Sequence, residues 1–265
     1  MSLTRRNLLI AAAAFGFAAG PAAAYAEGVL HVGSYPNNPP FEYKAESGDF
    51  EGFEVDIVKG AAERLGMTTE IVGMDFQPLF AATSSGRIDV AISSITITKE
   101  RLGSQSFTQP YYDADMGIAT RKDSPVKLLT DLKGKIAGVL SGSTGDKWSK
   151  DHQQEYGIAE VKGYNTQQEL LLDLTAGRVD AAVSDIPGMQ YAFKKMTDLE
   201  VREHIKTGEQ YGLMMTKDSP LLEKVNGAIS EMKKDGTMQQ IHEKWFGVKA
   251  LPDSAVITEA PLPKP

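Results

Sequence analysis

One stretch of this chain occurs twice, and that internal repeat constrains the fold more than any other feature. Residues 85–96 lie 91 residues before residues 176–187, and Gly, Arg, Asp, Ala and Ser match in register. A Lys-Asp-Ser-Pro segment also occurs twice, at residues 122–125 and 217–220, in the same order along the chain. Two ordered matches are hard to obtain by chance, so the repeat predicts two similar halves rather than one large core.

The repeated segments lie among alternating strand-like and helix-like patterns. Residues 53–65 carry an apolar residue at every fourth position, which predicts a helix that ends at Gly66, and residues 78–85 predict a second, shorter helix. Apolar strand patterns occupy residues 29–33, 70–72 and 88–93. Strands that alternate with helices predict an α/β fold with largely parallel sheets.

The first 26 residues have the three-part pattern of a secretory signal peptide. Arg5 and Arg6 give a positive start, residues 8–20 are apolar or small, and Ala24-Tyr25-Ala26 is a cleavage pattern. The apolar stretch is shorter than the ~20 residues that a membrane span needs. We expect residues 1–26 to be removed and the product to be exported to the periplasm. The arginine pair also allows the twin-arginine route.

Composition argues against several functional classes. The absence of cysteine excludes disulfides, zinc–thiolate sites and a cysteine nucleophile. A net charge of −7 argues against nucleic acid, whose phosphates need Lys and Arg. The four histidines are scattered without metal-ligand spacing. We therefore expect no metal, no cofactor and no nucleic-acid partner.

Polar residues follow the apolar strand in each copy of the repeat. They are Ser93, Ser94 and Thr96 in the first copy, and Ser184 and Asp185 in the second. Ligands of open α/β sheets bind outside the carboxyl ends of the strands. Two such ends that face each other would form a cleft lined by hydroxyl groups, one acid and Arg101.

Motifs along nearly the whole chain to about Val248 resemble those of the family 3 solute-binding proteins of polar-amino-acid ABC transporters. In chain order these are Pro40-Phe41-Glu42, Gly52-Phe53-Glu54-Val55-Asp56, Gly86-Arg87-Ile88-Asp89, Thr96-Ile97-Thr98 with Arg101, Phe107-Thr108 with Pro110-Tyr111-Tyr112, Leu132-Lys133-Gly134-Lys135, Gly142-Ser143-Thr144-Gly145, and Asp235-Gly236-Thr237 before Trp245-Phe246.

The resemblance implies a type II periplasmic-binding-protein fold, with two doubly wound lobes joined by two hinge strands. Lobe 1 would comprise residues 27–113 and 211–250, and lobe 2 residues 114–210. The proline-containing tail, residues 251–265, is expected to be loosely ordered and is assigned no function. The implied function is a periplasmic receptor that closes around an α-amino acid or a close analogue. It would work as a monomer and deliver its ligand to an ABC permease in the inner membrane.

The same resemblance assigns the two charged contacts of the ligand. Arg101 matches the residue that clamps the ligand carboxylate, and a guanidinium can fork onto a carboxylate through two parallel hydrogen bonds. The alternative for Arg101 is a surface role in a turn that begins a helix. Asp185 matches the partner of the α-ammonium group. Its alternative is to cap the following helix, since Pro187 suits a first helical turn.

Four hydroxyl residues join these two in the predicted site. Ser94 and Thr96 would add contacts to the carboxylate or the ammonium. Ser143 and Thr144 open a predicted helix, where free N–H groups attract anions. Simple N-capping is the alternative role for both, and it is compatible with ligand binding.

The pocket for the ligand side chain departs from better-known members of the family. Phe76 matches an aromatic residue that often stacks on the ligand, with core packing as its alternative. Asn38 replaces a second aromatic residue, and Tyr35 stands where several members carry an acid. Leu140 stands where the glutamine-type receptor carries Lys. This set favours a ligand with a neutral polar or moderately apolar side chain.

Two other functions fit the same fold. Proteins similar to cyclohexadienyl dehydratase perform elimination chemistry in such a cleft, and that chemistry needs an acid or base with a tuned pKa. Glu42, Asp75 and Asp185 are the candidates, but none has a convincing partner in the sequence, so we expect no enzyme and no catalytic residue. A sensory protein that reports its ligand to a separate receptor is the other alternative.

Overall fold

The computed structural model describes residues 28–265, so the predicted signal peptide lies outside the described residues. Two five-stranded sheets, each covered by helices, form two lobes with a cleft between them. This arrangement agrees with the two similar halves that the repeat predicts. None of the helices within residues 28–265 combines the length and the apolar character needed to cross a membrane.

The first lobe is built around one mixed sheet. Its strands are β1 (Gly28–Ser34), β5 (Met67–Gly73), β6 (Val90–Ile92), β7 (Gln105–Phe107) and β13 (Met214–Thr216). A small antiparallel sheet of β2 (Asn37–Asn38), β3 (Glu42–Lys44) and β4 (Phe50–Glu51) lies in the same lobe. The helices are α1 (Phe53–Arg64), α2 (Phe76–Ser84), α3 (Lys99–Ser104), α7 (Leu222–Lys234) and α8 (Thr237–Phe246).

The second lobe has the same plan. Its strands are β8 (Tyr112–Arg121), β9 (Ile136–Leu140), β10 (Glu160–Tyr164), β11 (Ala181–Asp185) and β12 (Leu199–Tyr211). Its helices are α4 (Thr144–Asp151), α5 (Gln167–Thr175) and α6 (Ile186–Phe193).

The strand orders of the two lobes correspond position by position. They run β5-β1-β6-β13-β7 in the first sheet and β10-β9-β11-β8-β12 in the second. In each sheet the fourth strand, β13 or β8, is antiparallel to both neighbours, so the other four share one direction. The largely parallel sheets predicted from the sequence are confirmed.

The repeated segment leads into the central strand of each lobe. Gly86 and Gly177 adopt positive φ angles of 68° and 73° just before β6 and β11, a conformation that glycine reaches without steric cost. The polar residues that follow each strand therefore emerge at the same edge of each sheet, facing the other lobe.

The chain crosses between the lobes twice, from Phe107 to Tyr112 and back from Tyr211 to Met214. The two crossings lie side by side, because Tyr112 pairs with Tyr211 at the ends of β8 and β12. Tyr211 also bridges to Thr96 of the first lobe, which joins the two lobes at the base of the cleft.

The C-terminal tail packs on the first lobe, and the expectation of loose order is wrong. Val256 is 2% exposed and belongs to the core of that lobe. The backbone N–H of Ala255 donates to Asp113 Oδ2 at 2.7 Å, and Lys233 Nζ donates to Thr258 O at 2.9 Å. Apolar burial and two anchored backbone groups order a segment whose proline content indicated the opposite.

Candidate functional site

A cavity between the lobes collects all nine residues that the sequence singled out. They are Tyr35, Asn38, Phe76, Ser94, Thr96, Arg101, Ser143, Thr144 and Asp185. The remaining lining residues are Phe41, Ser93, Leu140, Gln167, Ser184, Gly188 and Tyr211. Both lobes contribute, because the first half supplies the residues before 112 and the second lobe supplies those from 140 to 188.

Arg101 lies on the first-lobe side of the cavity and reaches across it. Thr98 caps α3 by accepting a hydrogen bond from the Arg101 backbone N–H at 3.2 Å, which fixes where the side chain leaves the helix. The guanidinium donates to Thr96 O at 2.8 Å and to Gly142 O of the second lobe at 3.2 Å. It also lies 5.1 Å from the ring centre of Phe80.

The charge of Arg101 survives this environment. Burial lowers the pKa of its guanidinium to about 10, because a desolvated cation is costly, and nearby Asp185 opposes that decrease. The side chain therefore remains a cation at neutral pH, and it still has N–H groups to offer an anion.

Asp185 ends β11 on the second-lobe side of the same cavity. Its Oδ2 accepts a hydrogen bond from the Tyr211 hydroxyl at 2.6 Å. Although Asp185 is the N-cap residue of α6, its side chain makes no capping hydrogen bond. Burial raises the pKa of this carboxyl group, and the Tyr211 hydroxyl and the Arg101 charge oppose the rise. The helix-capping alternative thus has no hydrogen bond to support it.

The start of α4 forms the floor of the cavity beside Arg101. Ser143 accepts a hydrogen bond from the Asp146 N–H at 3.1 Å, so its side chain caps the helix as the sequence suggested. Thr144 is the first residue of α4. Gly145 allows α4 to lie close to β11, because a Cβ at this position would lie 2.6 Å from Val183 O.

Ser94 and Asn38 are held by hydrogen bonds within the first lobe. Asn38 Nδ2 donates to Ser94 Oγ at 2.9 Å and to Glu42 Oε1 at 3.0 Å. Ser94 has a left-handed φ of 47°, and its N–H donates to both carboxyl oxygens of Glu54 at 2.9 and 3.1 Å. A non-glycine residue in this conformation needs its surroundings to hold it, and Glu54 supplies the contact.

Glu42 and Glu54, which hold Asn38 and Ser94 in place, form a buried acid pair. Both are 0% exposed, and the Tyr111 hydroxyl donates to Glu54 in a short hydrogen bond. Burial, followed by the charge of Glu54, raises the pKa of Glu42 well above its usual value. Two adjacent carboxylates with no ion-pair partner among residues 28–265 cannot both be charged, so this pair holds a proton.

Two further hydrogen bonds join the lobes near Tyr35. The Gln167 N–H donates to the Tyr35 hydroxyl at 3.1 Å, and Asn37 Nδ2 donates to Gln168 Oε1 at 2.8 Å. Burial raises the pKa of Tyr35 to about 12, so its hydroxyl stays protonated at neutral pH. The structure thus has its lobes in direct contact around the cavity.

Apolar side chains form part of the cavity lining, and the Phe76 ring centre lies 5.8 Å from the Arg101 guanidinium carbon. Phe76 begins α2, is 5% exposed and packs edge-to-face on Phe80 with ring centres 5.4 Å apart. Leu140 of the second lobe packs against the buried apolar cluster that contains Phe76 and Tyr35. Gly188 faces Asn38, since a Cβ there would lie 3.2 Å from Asn38 Oδ1.

Sequence reasoning missed Tyr211 and Gln167 as lining residues. Tyr211 belongs to the long return strand β12, and Gln167 begins α5; neither position follows the repeated strand that located the site. Glu54 was visible only as part of a motif. Its contact with Ser94 spans 40 residues of sequence and needs the fold to be seen.

Comparisons with known proteins agree with this geometry. Residues 30–248 match the family model of the bacterial extracellular solute-binding proteins, family 3. The arginine-binding extracellular protein ArtP of Bacillus subtilis is 35% identical over 82% of this chain and 86% of its own length. The L-cystine-binding protein TcyJ of Escherichia coli is 34% identical over 83% of this chain and 83% of its own length.

A solved structure of an ancestral arginine-binding protein bound to arginine has the same fold. It superposes with a TM-score of 0.79 at 40% identity, and the match covers 83% of this chain and 99% of that protein. The arginine-, lysine-, histidine-binding protein ArtJ of Geobacillus stearothermophilus gives a TM-score of 0.78 at 33% identity, over 84% and 97% of the two chains.

Proposed function

Because this chain belongs to family 3 of the bacterial extracellular solute-binding proteins and is the substrate-binding receptor of an amino-acid importer, we propose that it captures a zwitterionic amino acid by closing its two lobes on the ligand's opposite charges. The family and the type II periplasmic-binding-protein fold predicted from the sequence are both confirmed.

One observation carries the proposal. Arg101 of the first lobe and Asp185 of the second line the same cavity, and partial burial shifts the pKa of each. An α-amino acid brings a carboxylate for Arg101 and an ammonium for Asp185. Because the two partners lie on different lobes, both contacts are available only when the lobes are together, so the ligand stabilises the closed state.

Hydroxyl and backbone groups complete the proposed contacts around Arg101 and Asp185. Ser94 and Thr96 from the first lobe, with Ser143 and Thr144 from the second, surround the place of the ligand's charged groups. Free N–H groups at the start of α4 favour an anion there. Hydroxyl groups can donate to a carboxylate or accept from an ammonium, so they suit either charge of the ligand.

The uncharged lining residues would hold the ligand side chain. Tyr35, Asn38 and Phe76, with Leu140 and Gln167, offer aromatic, amide and aliphatic surfaces and no carboxylate. We therefore propose a neutral polar or moderately apolar side chain. Relatives are named for arginine, cystine and histidine, and a second structure of the ancestral protein is bound to glutamine, so these four belong in any test.

The finer aspects of the biology follow the family. We propose that the chain works in the periplasm as a monomer, after removal of residues 1–26, and hands its ligand to an ABC permease in the inner membrane. We also propose that it has no enzymatic activity. The relatives compared are binding proteins. Of the three candidate acids, Glu42 is fully buried and accepts a hydrogen bond from Asn38, which lies between it and the cavity.

Thermal denaturation of residues 27–265 against the standard L-amino acids, cystine and prephenate tests this function. A ligand at 100 times its Kd should stabilise the folded state by ~2.7 kcal/mol. We expect a rise in Tm with at least one neutral α-amino acid and no consumption of prephenate. Prephenate turnover would support the enzyme instead, and a preference for arginine would contradict only the proposed side-chain class. Silence from every α-amino acid would contradict the receptor proposal.

A further inference from the structure

A third ionisable side chain, Glu209, lies beside the proposed charge clamp. It precedes Tyr211 by two positions on β12, so both side chains point to the same face of the strand. Glu209 is only 8% exposed, and its carboxyl group lies next to the hydroxyls of Thr96 and Thr144, one from each lobe. Its Oε2 is buried and has no hydrogen-bond partner among the described residues.

Arg101 is the cation that acts on the charge of Glu209. Arg101 and Asp185 are close enough to act on its charge, and Tyr211 lies on the same face of its own strand. The residue opposite it on β8 is Ala114. The flanking β8 acids, Asp113 and Asp115, alternate onto the other face and accept hydrogen bonds from the tail and from the irregular part of β12 at residues 207–208.

The charges at this place do not balance around a zwitterion. Arg101 contributes one positive charge, and Asp185 and Glu209 would contribute two negative charges if both were ionised. A zwitterionic ligand adds one charge of each sign and so leaves one buried negative charge without a partner. An uncompensated buried charge is costly, and a carboxyl group avoids it by binding a proton.

We propose that Glu209 takes up a proton when the lobes close on a zwitterionic ligand, so that ligand binding is coupled to the external pH. The inference rests on the proposed function, since it needs an amino acid held between Arg101 and Asp185. Burial and the charge of Asp185 raise the pKa of Glu209 to about 7 in the closed arrangement. When the lobes separate and water enters, the pKa returns toward the ordinary value of ~4.3.

The sign of the coupling follows from these two values. Between them, the closed form binds a proton that the open form lacks, so affinity is highest at acid pH and declines as pH rises. Where one full proton is taken up, Kd increases about tenfold for each pH unit.

Isothermal titration calorimetry measures the proton directly. The chain is titrated at pH 6 in phosphate, MES and Bis-Tris, with L-glutamine, L-arginine and the amino acid that gives the largest thermal shift. The observed heat depends on the ionisation enthalpy of the buffer with a slope equal to the number of protons taken up. For a neutral amino acid we expect close to one proton at pH 6, and less above pH 7.

Glu209→Gln assigns that proton, because it keeps the shape of the side chain, offers a donor and an acceptor group as a protonated carboxyl does, and cannot titrate. We expect proton uptake to fall to near zero and the affinity of this variant to lose its pH dependence. Glu203→Gln is the matched control on the same strand, where half-buried Glu203 accepts a hydrogen bond from the Leu129 N–H. Glu42→Gln tests the other buried acids. Both controls should retain the uptake.

The outcomes separate the inference from the function beneath it. Binding heat without proton uptake, or uptake that persists in Glu209→Gln, overturns the role of Glu209 and leaves the receptor intact. Loss of uptake in Glu42→Gln instead would transfer the proton to the Glu42–Glu54 pair and also overturns it. Absence of binding heat for every amino acid contradicts both proposals.

Discussion

Two groups of residues line the cavity and differ in chemistry. In the charged group, Arg101 and Asp185 oppose each other across the lobes, and hydroxyl groups and a helix start lie around them. In the neutral group, Tyr35, Phe76 and Leu140 present uncharged surfaces, and the Phe76 ring centre lies 5.8 Å from the Arg101 guanidinium carbon. We propose that the charged group recognises what all α-amino acids share and that the neutral group distinguishes one side chain from another. Substitutions in the two groups should therefore have different signatures.

The largest effect is expected at Arg101. Arg101→Ala removes one partner of a buried charge pair, and such truncations cost 2–5 kcal/mol or more, a loss of about 30-fold to several thousand-fold in affinity. Every amino acid should lose by a similar factor, so the order of preference stays the same. Calorimetric titration measures this, with Lys99→Ala on the exposed surface of α3 as control. A change in the order of preference would contradict the separate roles of the charged and the neutral lining residues.

Asp185→Asn should show two effects of opposite sign. The variant loses the charge that we assign to the ligand ammonium, and we expect affinity to fall by about 10- to 100-fold. In the parent chain the folded-state pKa of Asp185 is raised, so the ionised side chain opposes folding once pH exceeds the unfolded-state pKa of ~3.9. The ligand-free variant should therefore have a higher Tm than the parent at pH 7. Equal or lower Tm would contradict the burial of an ionised Asp185.

Phe76→Leu tests whether the neutral lining residues select the ligand side chain. The smaller aliphatic side chain keeps much of the packing against Phe80 but removes the ring from the cavity. We expect a loss of about 0.5–1.5 kcal/mol for some amino acids and little for others, because an aromatic contact depends on the group it faces. A changed order of preference across the amino-acid panel is the diagnostic result. A uniform loss would mean that Phe76 supports Arg101 rather than selecting the ligand.

The smallest effect is expected from Tyr35→Phe. The change deletes the hydroxyl that accepts a hydrogen bond from the Gln167 N–H of the other lobe. One hydrogen bond contributes about 0.5–1.5 kcal/mol, so affinity should fall roughly two- to tenfold through faster ligand release. Stopped-flow dissociation rates measure this. Tyr43→Phe, whose hydroxyl contacts Glu51 within the first lobe, is the control and should leave the rate unchanged.

Much of the fold could be predicted because its signals are local. The helix expected at residues 53–65 is α1 (Phe53–Arg64), and the repeat located the central strand of each lobe. The order of the tail could not be predicted, since it depends on contacts with Asp113 and Lys233 that lie far away in sequence.

The candidate site was predictable where a motif carries it. The motif Thr96-x-Thr98-x-x-Arg101 predicted Arg101 as a site residue, and the end of the repeated strand predicted Asp185. Glu209 has no such signal, because it acquires its environment only when β12 brings it between Thr96 and Thr144. The acid pair of Glu42 and Glu54 likewise forms only once β3 packs on α1.

The central claim is that opposite lobes bind the two charges of one zwitterion. The most direct measurement titrates the mature chain with the amino acid selected by the thermal panel, with its α-carboxamide and with its des-amino acid. We predict that each analogue loses at least about 100-fold in affinity, since each leaves Asp185 or Arg101 buried without its partner. Retention of near-parent affinity by either analogue would contradict the two-lobe clamp.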